Sequence, residues 1–481
     1  MQDIKKKIIS SLFWKLMERG GNAVVSLFVQ IILARLLSPE DFGLLAIIIV
    51  FVNIGAVFVQ SGLNSALIQA READERDFST AFWLCFAIGV ILYIIVFVCA
   101  PFIAEFYAND ELTWPLRVIA LLLIINAYNS IQVSKVTRDL ELKKTFYATA
   151  VSVVVSGIVG VVCAYFGAGI WALVINQLIY QVVNCIVLAF QITWHPVFYF
   201  SPKRAKSLFK FGWKLLVSGL IDTLYQSLSS LIIGKQFSTY SLGLVSQGEK
   251  YPQALGNMLN GAIQPVMFSA ISRVQDSKET VKNVTKRAFK TSAFIVVPVM
   301  GTIIVVAEPF VAIILGEQWM GVVPYLQIYC LVYALYPIQT SNLQALNGIG
   351  RSDIFLILEV VKKIFGVVIL LIAAFLVQDV YAIVIGVLLT GIVSLFINTF
   401  PSKRFINYGL VEQICDLMPS VLLTMIAGVA ASLFAFFPVS GVILLMLQCC
   451  VMVGTYLFAA AVLKVEELTY LSGELKSMIK K

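Results

Sequence analysis

Long apolar runs, separated by short polar stretches, are the feature that most constrains this chain. Each run holds about 20 residues, enough for a helix to cross the hydrocarbon layer of a bilayer. Hydrophobic residues make up 60% of the 481 residues and charged residues 13%, about half the share of a soluble protein. Because a soluble fold would expose most of these runs to water, the sequence predicts an all-α polytopic membrane protein.

The positions of the runs and of the breakers between them predict about fourteen transmembrane helices. The predicted helices are 9–34, 42–63, 78–100, 113–134, 146–166, 169–190, 211–233, 241–268, 288–307, 322–343, 354–376, 380–400, 411–437 and 440–463. The eighth is the most polar, with Gln247, Glu249, Lys250 and Asn257 in it. Cytoplasmic loops of roughly 20 residues are expected between some helices, for example before the ninth.

Basic residues are distributed unequally between the two sides of the membrane. With the N-terminus in the cytoplasm, 26 of the 35 Lys and Arg residues fall on the cytoplasmic side, and only Arg35 and Lys235 lie in the opposite loops. This bias follows the positive-inside rule and predicts that both termini are cytoplasmic. It also explains the net charge of +8 without a nucleic-acid partner.

A weak internal repeat has a period of about 200 residues. Trp14-Lys15-Leu16 recurs as Trp213-Lys214-Leu215, and Gly43-Leu44 recurs as Gly243-Leu244. Each repeat holds six predicted helices, which gives both halves the same orientation, as in transporters built from parallel repeats. The predicted domains are therefore a six-helix bundle over 1–200, a second bundle over 201–407, and two further helices with a tail over 408–481.

Several charged residues fall inside predicted helices, where each would cost about 2.5–3.5 kcal/mol if it faced lipid. The cations among them are Lys15, Arg19, Lys214, Lys250, Lys362 and Lys363. We expect them to line a hydrated interior and to form a substrate-binding patch for an anion such as a pyrophosphate headgroup.

Two structural explanations compete with this hypothesis. Lys15 and Lys214 lie close enough to the cytoplasmic ends of their helices to snorkel towards water. Glu359 forms i,i+3 and i,i+4 pairs with Lys362 and Lys363 that would stabilise a helix without binding a ligand. Asp222 lies near mid-membrane, where snorkelling fails, and is expected to face a cavity.

The residues needed for most catalytic or cofactor chemistry are missing from the sequence. His195 is the only histidine, and the eight cysteines form no CxxC pair, so no metal site is predicted. No Walker motif is present, and no catalytic carboxylate cluster or large extramembrane domain is visible. The sequence therefore favours transport over catalysis, with no cofactor and no catalytic residue.

Three segments resemble the Wzx-type polysaccharide exporters of the multidrug/oligosaccharidyl-lipid/polysaccharide superfamily. They are Ala34–Gly43 (ARLLSPEDFG), Gln264–Gln275 (QPVMFSAISRVQ) and Leu315–Trp319 (LGEQW). The resemblance covers nearly the whole chain. It implies two six-helix bundles, alternating access, and flipping of undecaprenyl-pyrophosphate-linked oligosaccharide units across the bacterial inner membrane for lipopolysaccharide or capsule synthesis.

The resemblance does not settle how transport is energised. Antiport of H+ or Na+ is the hypothesis, with Asp222, Glu249 or Glu359 as candidate carriers. Membrane lipids and the lipid-linked oligosaccharide are the expected partners. The alternatives are a multidrug or lipid II exporter of the same superfamily, or a membrane glycan polymerase.

Overall fold

A computed structural model describes residues 2–60, 62–70, 73–437 and 441–479 of the chain. Across these ranges the regular structure consists of helices, and no β-strand occurs. Internal packing separates the chain into two compact units, Met1–Gly243 and Leu244–Lys481, called unit 1 and unit 2 below. The predicted all-α fold class is confirmed.

The described residues of unit 1 form nine complete α-helices and the first turn of a tenth. They are α1 (Gln2–Leu36), α2 (Pro39–Gln60), α3 (Leu63–Gln69), α4 (Glu75–Phe106), α5 (Thr113–Ile119), α6 (Leu122–Arg138), α7 (Leu142–Tyr165), α8 (Ile170–Gln191) and α9 (Pro202–Gln236). The boundary between the units falls within α10 (Thr239–Arg273).

The described residues of unit 2 form the rest of α10 and nine further α-helices. These are α11 (Lys278–Val305), α12 (Ala307–Phe310), α13 (Val323–Ala334), α14 (Tyr336–Gly348), α15 (Ser352–Ile372), α16 (Val380–Ile406), α17 (Leu410–Ser432), α18 (Gly441–Val462) and α19 (Glu466–Ile479).

All fourteen predicted transmembrane helices coincide with helical segments, and two of them, 113–134 and 322–343, are each broken into two helices. Twelve segments of the described chain are long and apolar enough to cross a bilayer. The remaining two predicted spans correspond to α1, whose apolar part is the shorter stretch Gly20–Leu36, and to the polar α10. The chain is a multi-pass helical membrane protein.

Several helices begin well before the apolar windows that predicted them. α9 starts at Pro202 and α11 at Lys278, about nine residues ahead of the predicted starts, so the expected loop of roughly 20 residues before the ninth span is wrong. The cause is capping: the Ser277 hydroxyl accepts a hydrogen bond from the Thr280 amide, and the Ser201 hydroxyl accepts one from the Arg204 amide. A serine cap sets where a helix begins regardless of hydropathy.

In unit 1, glycines allow helices to pack at very short distances. A Cβ on Gly157 would lie 2.5 Å from the Val29 side chain, which brings α7 against α1. A Cβ on Gly160 would lie 2.9 Å from Asn176, which brings α7 against α8. The helix α9 packs on a different set of helices in the same unit, namely α2, α3 and α4.

The repeated glycines meet each other in space. A Cβ on Gly43 would lie 1.8 Å from the carbonyl oxygen of Thr239, and a Cβ on Gly243 would lie 1.9 Å from the carbonyl oxygen of Pro39. The two contacts are equivalent under the repeat, because Gly43 and Gly243 are 200 residues apart in the sequence, and so are Pro39 and Thr239. Only glycine fits at either position, because any side chain would collide with backbone.

In unit 2, the last two predicted spans, α17 and α18, pack on α11. Their shared core contains Phe294, Leu423, Ala427, Met452 and Tyr456. The Tyr456 hydroxyl donates a hydrogen bond to the Phe294 carbonyl oxygen (2.9 Å). These helices are therefore integral to unit 2, whereas the division into segments 1–200, 201–407 and 408–481 stays a prediction.

Candidate functional site: charged and polar residues within the helices

In unit 1, Lys15 is part of an ion pair. Its ammonium lies 2.9 Å from Glu18 Oε1, one turn later on α1. The second carboxylate oxygen, Glu18 Oε2, accepts a hydrogen bond from the Thr145 hydroxyl of α7 (2.8 Å). The positive charge of Lys15 is therefore balanced locally. The Lys15 side chain is 38% exposed and that of Glu18 16%.

This pair lies on the wall of a cavity of about 190 Å³, which we call the polar chamber. Four helices line it, namely α1, α6, α7 and α8. Its polar lining includes Lys15, Glu18, Asn129, Thr145, Tyr180 and Asn184. Since Lys15 is partly exposed, the chamber opens to the outside of unit 1.

The chamber residues of α6, α7 and α8 were not among the predicted site residues. Asn129, Thr145, Tyr180 and Asn184 are uncharged, so the search for charges in apolar runs passed over them. A usable signal was available: Thr145 and Thr149 lie four residues apart, as do Tyr180 and Asn184, and such pairs share one face of a helix.

Lys214 and Asp222 both lie on α9 and are both exposed. Asp222 Oδ2 accepts a hydrogen bond from the Gln226 amide (3.1 Å). No acidic residue of the described chain lies within ion-pair distance of Lys214. Lys214 is therefore an uncompensated cation on its helix.

Glu249 and Lys250 lie on the unit 2 part of α10, and both are partly buried. The Tyr333 hydroxyl of α13 donates a hydrogen bond to Glu249 Oε1 (3.1 Å), and Tyr329 supplies a second hydroxyl beside it. The carboxylate is thus held by neutral hydroxyl donors. Further along α10, the Thr340 hydroxyl of α14 donates to Asn260 Oδ1 (2.8 Å), which extends a polar side of the helix.

On α15 of unit 2, Lys362 forms an ion pair with Glu359, one turn earlier on the same helix. Lys362 is buried and Lys363 is half-buried. The predicted i,i+3 pair is therefore present, and the structure places Lys362 in the same type of local pair as Lys15.

The six predicted cations divide evenly between the units. Lys15, Arg19 and Lys214 belong to unit 1, and the other three belong to unit 2. The Arg19 side chain lies outside the described part of the structure. Within unit 1, Lys15 lies where α1 packs with α7, whereas Lys214 lies on α9, which packs with α2, α3 and α4.

A further charged cluster occurs in unit 2 on α11, whose first turns, including Lys286, lie ahead of the predicted helix 288–307. Lys286 contacts Glu412 and Asp416 of α17 (3.1 and 3.3 Å), and Lys290 contacts Glu466 and Glu467 of α19 (3.2 and 2.7 Å). These pairs join three helices. Among the described residues, no group of three or more His, Cys, Asp or Glu side chains is arranged to hold a metal ion.

Twelve apolar spans in the described part of the chain, two compact units, and charges held within the helices define a polytopic helical membrane protein. The sequence profile of the family described as "Polysaccharide biosynthesis protein" matches residues 32–324. The chain belongs to this family.

Two curated relatives and one solved structure agree with this assignment. The succinoglycan biosynthesis transport protein ExoT of Rhizobium meliloti is 22% identical, over 73% of this chain and 71% of its own. The lipopolysaccharide biosynthesis protein WzxC of Escherichia coli is 23% identical, over 83% of this chain and 80% of its own.

The lipid II flippase MurJ, solved in an inward closed conformation, superimposes with a TM-score of 0.75. The alignment covers 95% of this chain and 98% of that structure at 13% identity, which shows that the fold is shared. The resemblance to Wzx-type exporters, read from three short segments of the sequence, is confirmed. The chain is a polysaccharide biosynthesis protein with a flippase fold.

Proposed function

We propose that this protein flips undecaprenyl-pyrophosphate-linked oligosaccharide units across the bacterial inner membrane. The observation that carries the proposal is the family match over residues 32–324 on a chain with the fold of a lipid flippase. Polysaccharide repeat units are assembled on a lipid carrier, and their sugars are too polar to cross hydrocarbon unaided. A member of this family that has the fold of a lipid flippase is therefore suited to move the finished unit across the bilayer.

Both termini are proposed to be cytoplasmic, which the distribution of basic residues supports. Cysteine-accessibility labelling of intact cells and inverted vesicles, with reporter cysteines in the 107–110 turn and in the 274–277 turn, tests the orientation. The first turn should be labelled from outside and the second from the cytoplasmic side. The reverse pattern would contradict the proposal.

The diphosphate of the carrier is proposed to bind the six cations Lys15, Arg19, Lys214, Lys250, Lys362 and Lys363. Phosphate oxygens accept charge-assisted hydrogen bonds from ammonium and guanidinium groups. Lys214 has the strongest support, because no carboxylate of the described chain neutralises it. Lys15 and Lys362 would have to exchange a glutamate partner for phosphate.

The export cycle is proposed to be alternating access driven by H+ or Na+ antiport, with Asp222, Glu249 and Glu359 as candidate carriers. Glu249 is the best placed for proton exchange. It accepts a hydrogen bond from Tyr333, whereas Glu359 is paired with Lys362.

Deletion of the gene tests the central proposal. Lipid-linked oligosaccharide should accumulate in the inner leaflet, where an impermeant sugar-oxidising reagent cannot reach it in intact cells. Accumulation of single units in the outer leaflet would instead indicate a polymerase. Dissipating the proton gradient should stop export by the wild type, and Glu249→Gln should abolish the response to an imposed gradient. Export that continues unchanged without any ion gradient would contradict the antiport proposal.

A further inference from the structure

The polar chamber of unit 1 has a chemical character different from that of a phosphate site. The ammonium of Lys15 and the carboxylate of Glu18 lie 2.9 Å apart and cancel each other's charge. The other polar groups lining the chamber are neutral amides and hydroxyls. A balanced pair attracts neither a bare anion nor a bare cation strongly, because any ion that approaches one partner is repelled by the other.

The chamber offers hydrogen-bond donors and acceptors together. The Asn129 side-chain oxygen is buried and has no hydrogen-bond partner among the described residues. Asn184 is only 6% exposed, and its amide makes one long bond, 3.4 Å, to the Thr149 hydroxyl. Buried polar groups are nearly always satisfied, so an acceptor left open and a donor held weakly point to a partner absent from the chain itself.

A sugar ring matches this mixed set of groups. Each sugar hydroxyl both donates and accepts a hydrogen bond, as amide and hydroxyl side chains do. Tyr180 adds an aromatic surface for the apolar face of a ring. The chamber volume of about 190 Å³ is below the roughly 300–1,000 Å³ of sites that enclose a drug-sized ligand. There is room for one ring and not for a whole oligosaccharide.

The helix packing keeps the chamber in place. Close contacts at Gly157 and Gly160 hold α7 against α1 and α8. On α1 itself, a Cβ on Gly20 or Gly21 would meet nothing within 4 Å, which places open space next to the turn that carries Glu18. A recess bounded by tightly packed helices retains its shape when a ligand enters.

We propose that the polar chamber is a glycan subsite that holds one neutral sugar residue of the transported substrate. The sugar contacts Glu18 and Asn129 as acceptors and Lys15 and Asn184 as donors. The proposal rests on the proposed function, which supplies the sugar-bearing substrate, and it changes that proposal at one residue. Lys15, which is already paired with Glu18, contacts the glycan, and the other five cations remain for the diphosphate.

Saturation-transfer NMR on the purified full-length protein tests the proposal. The probes are the methyl glycosides of a neutral hexose, of an N-acetylhexosamine and of a hexuronate, with inorganic pyrophosphate as the anion probe. The wild type should bind one of the two neutral glycosides. Asn184→Ala removes a proposed donor to the sugar, and the milder Thr149→Val removes the hydroxyl that positions that donor. Each should raise the Kd of the glycoside by about threefold to tenfold, the effect of losing one hydrogen bond. Pyrophosphate binding should not change.

Asp139→Asn serves as the matched control, because Asp139 is exposed at the end of α6 and pairs with Lys135 (3.1 Å) away from the chamber lining. It should bind glycoside as the wild type does, and thermal unfolding of each variant verifies that it is folded. The proposal is overturned if neither neutral glycoside binds at its solubility limit, or if Thr149→Val and Asn184→Ala bind as tightly as the wild type. It is also overturned if pyrophosphate competes with the glycoside, since the chamber would then be an anion site.

The gene-deletion experiment fails or succeeds independently of this result. Glycoside binding without accumulation of lipid-linked oligosaccharide in the deletion strain would contradict the flippase proposal and leave the subsite standing. Accumulation without glycoside binding would support the flippase proposal and contradict the glycan subsite.

Discussion

The two copies of the Trp-Lys-Leu motif have the same sequence and different surroundings. In the first copy, Trp14 packs on the rings of Phe146 and Tyr147 (centroids 5.2 and 5.8 Å), and Lys15 pairs with Glu18. In the second copy, on α9, Trp213 is 45% exposed and Lys214 has no carboxylate partner in the described chain.

The residue three positions after the lysine accounts for the difference in charge. It is Glu18 in the first copy and Val217 in the second, and residues three apart on a helix are neighbours. The repeat therefore places a lysine at the same helix position in both copies, but only the first copy also places a carboxylate beside it. One lysine is neutralised beside the polar chamber, and the other remains available to an anion.

The largest effect, a loss of stability, is expected at Gly43 and Gly243, where the two repeats make equivalent contacts. Gly43→Ala would place a methyl carbon 1.8 Å from the Thr239 carbonyl oxygen. Because that atom is backbone and cannot rotate away, we expect a loss of about 3 kcal/mol or more. Little folded protein should be recovered after detergent extraction, as judged by size-exclusion chromatography.

Gly454→Ala is the control for that substitution. Gly454 lies in α18, and a Cβ there would meet nothing within 4 Å. This variant should be as stable as the wild type or slightly more stable. Equal recovery of both variants would show that the contact between the repeats is not required.

The second prediction concerns the unpaired lysine. Lys214→Gln should lower export by about tenfold if it removes one charge-assisted hydrogen bond to phosphate, and Lys214→Arg should retain most of it. Val217→Glu should recreate the arrangement of the first copy and lower export similarly, because the new carboxylate would neutralise Lys214. Export of radiolabelled repeat units into inverted vesicles measures this. Unchanged export with Val217→Glu would show that the free charge of Lys214 has no role.

The third prediction compares the two tryptophans. Trp14→Leu should lower thermal stability more than Trp213→Leu, since Trp14 contacts two rings and Trp213 is largely exposed. Each aromatic contact contributes about 0.5–1.5 kcal/mol beyond its buried area. Thermal unfolding followed by tryptophan fluorescence should rank the variants. The opposite order would mean that α9 is held more firmly at this point than α1.

The smallest effect is expected for the Lys15 and Glu18 pair itself. A double-mutant cycle with Lys15→Gln and Glu18→Gln should give a coupling free energy of about 0.5–1 kcal/mol, since the pair is only partly shielded from solvent. The cycle for Lys135 and Asp139 should give less, because the carboxylate of Asp139 is more exposed to solvent than that of Glu18. A coupling near zero at Lys15 would imply that the ion pair does not hold the chamber wall.

Much of the fold could be predicted from hydropathy alone. All fourteen predicted spans coincide with helical segments because a bilayer requires about 20 apolar residues per crossing, a strong local signal. The helix starts at Pro202 and Lys278 were missed because serine caps and polar first turns determine them. Hydropathy does not detect capping.

The candidate site was predicted in part. A search for charges in apolar runs finds Lys15, Glu249 and Lys362. It does not predict that Glu249 accepts a hydrogen bond from a tyrosine 84 residues away, or that the charge of Lys15 is neutralised by a paired glutamate. The chamber residues of α6, α7 and α8 carry no charge, and their proximity depends on how four helices pack. No local sequence pattern indicates that these residues lie close together.

The sequence by itself determined that this chain crosses a membrane many times and repeats after about 200 residues. It also determined that charged side chains lie within its helices, because the length of an apolar run is a local property that lipid selects directly. Only the tertiary structure decided which charges are paired and where the polar chamber lies. Those properties depend on distances between residues of different helices, which packing fixes and composition does not.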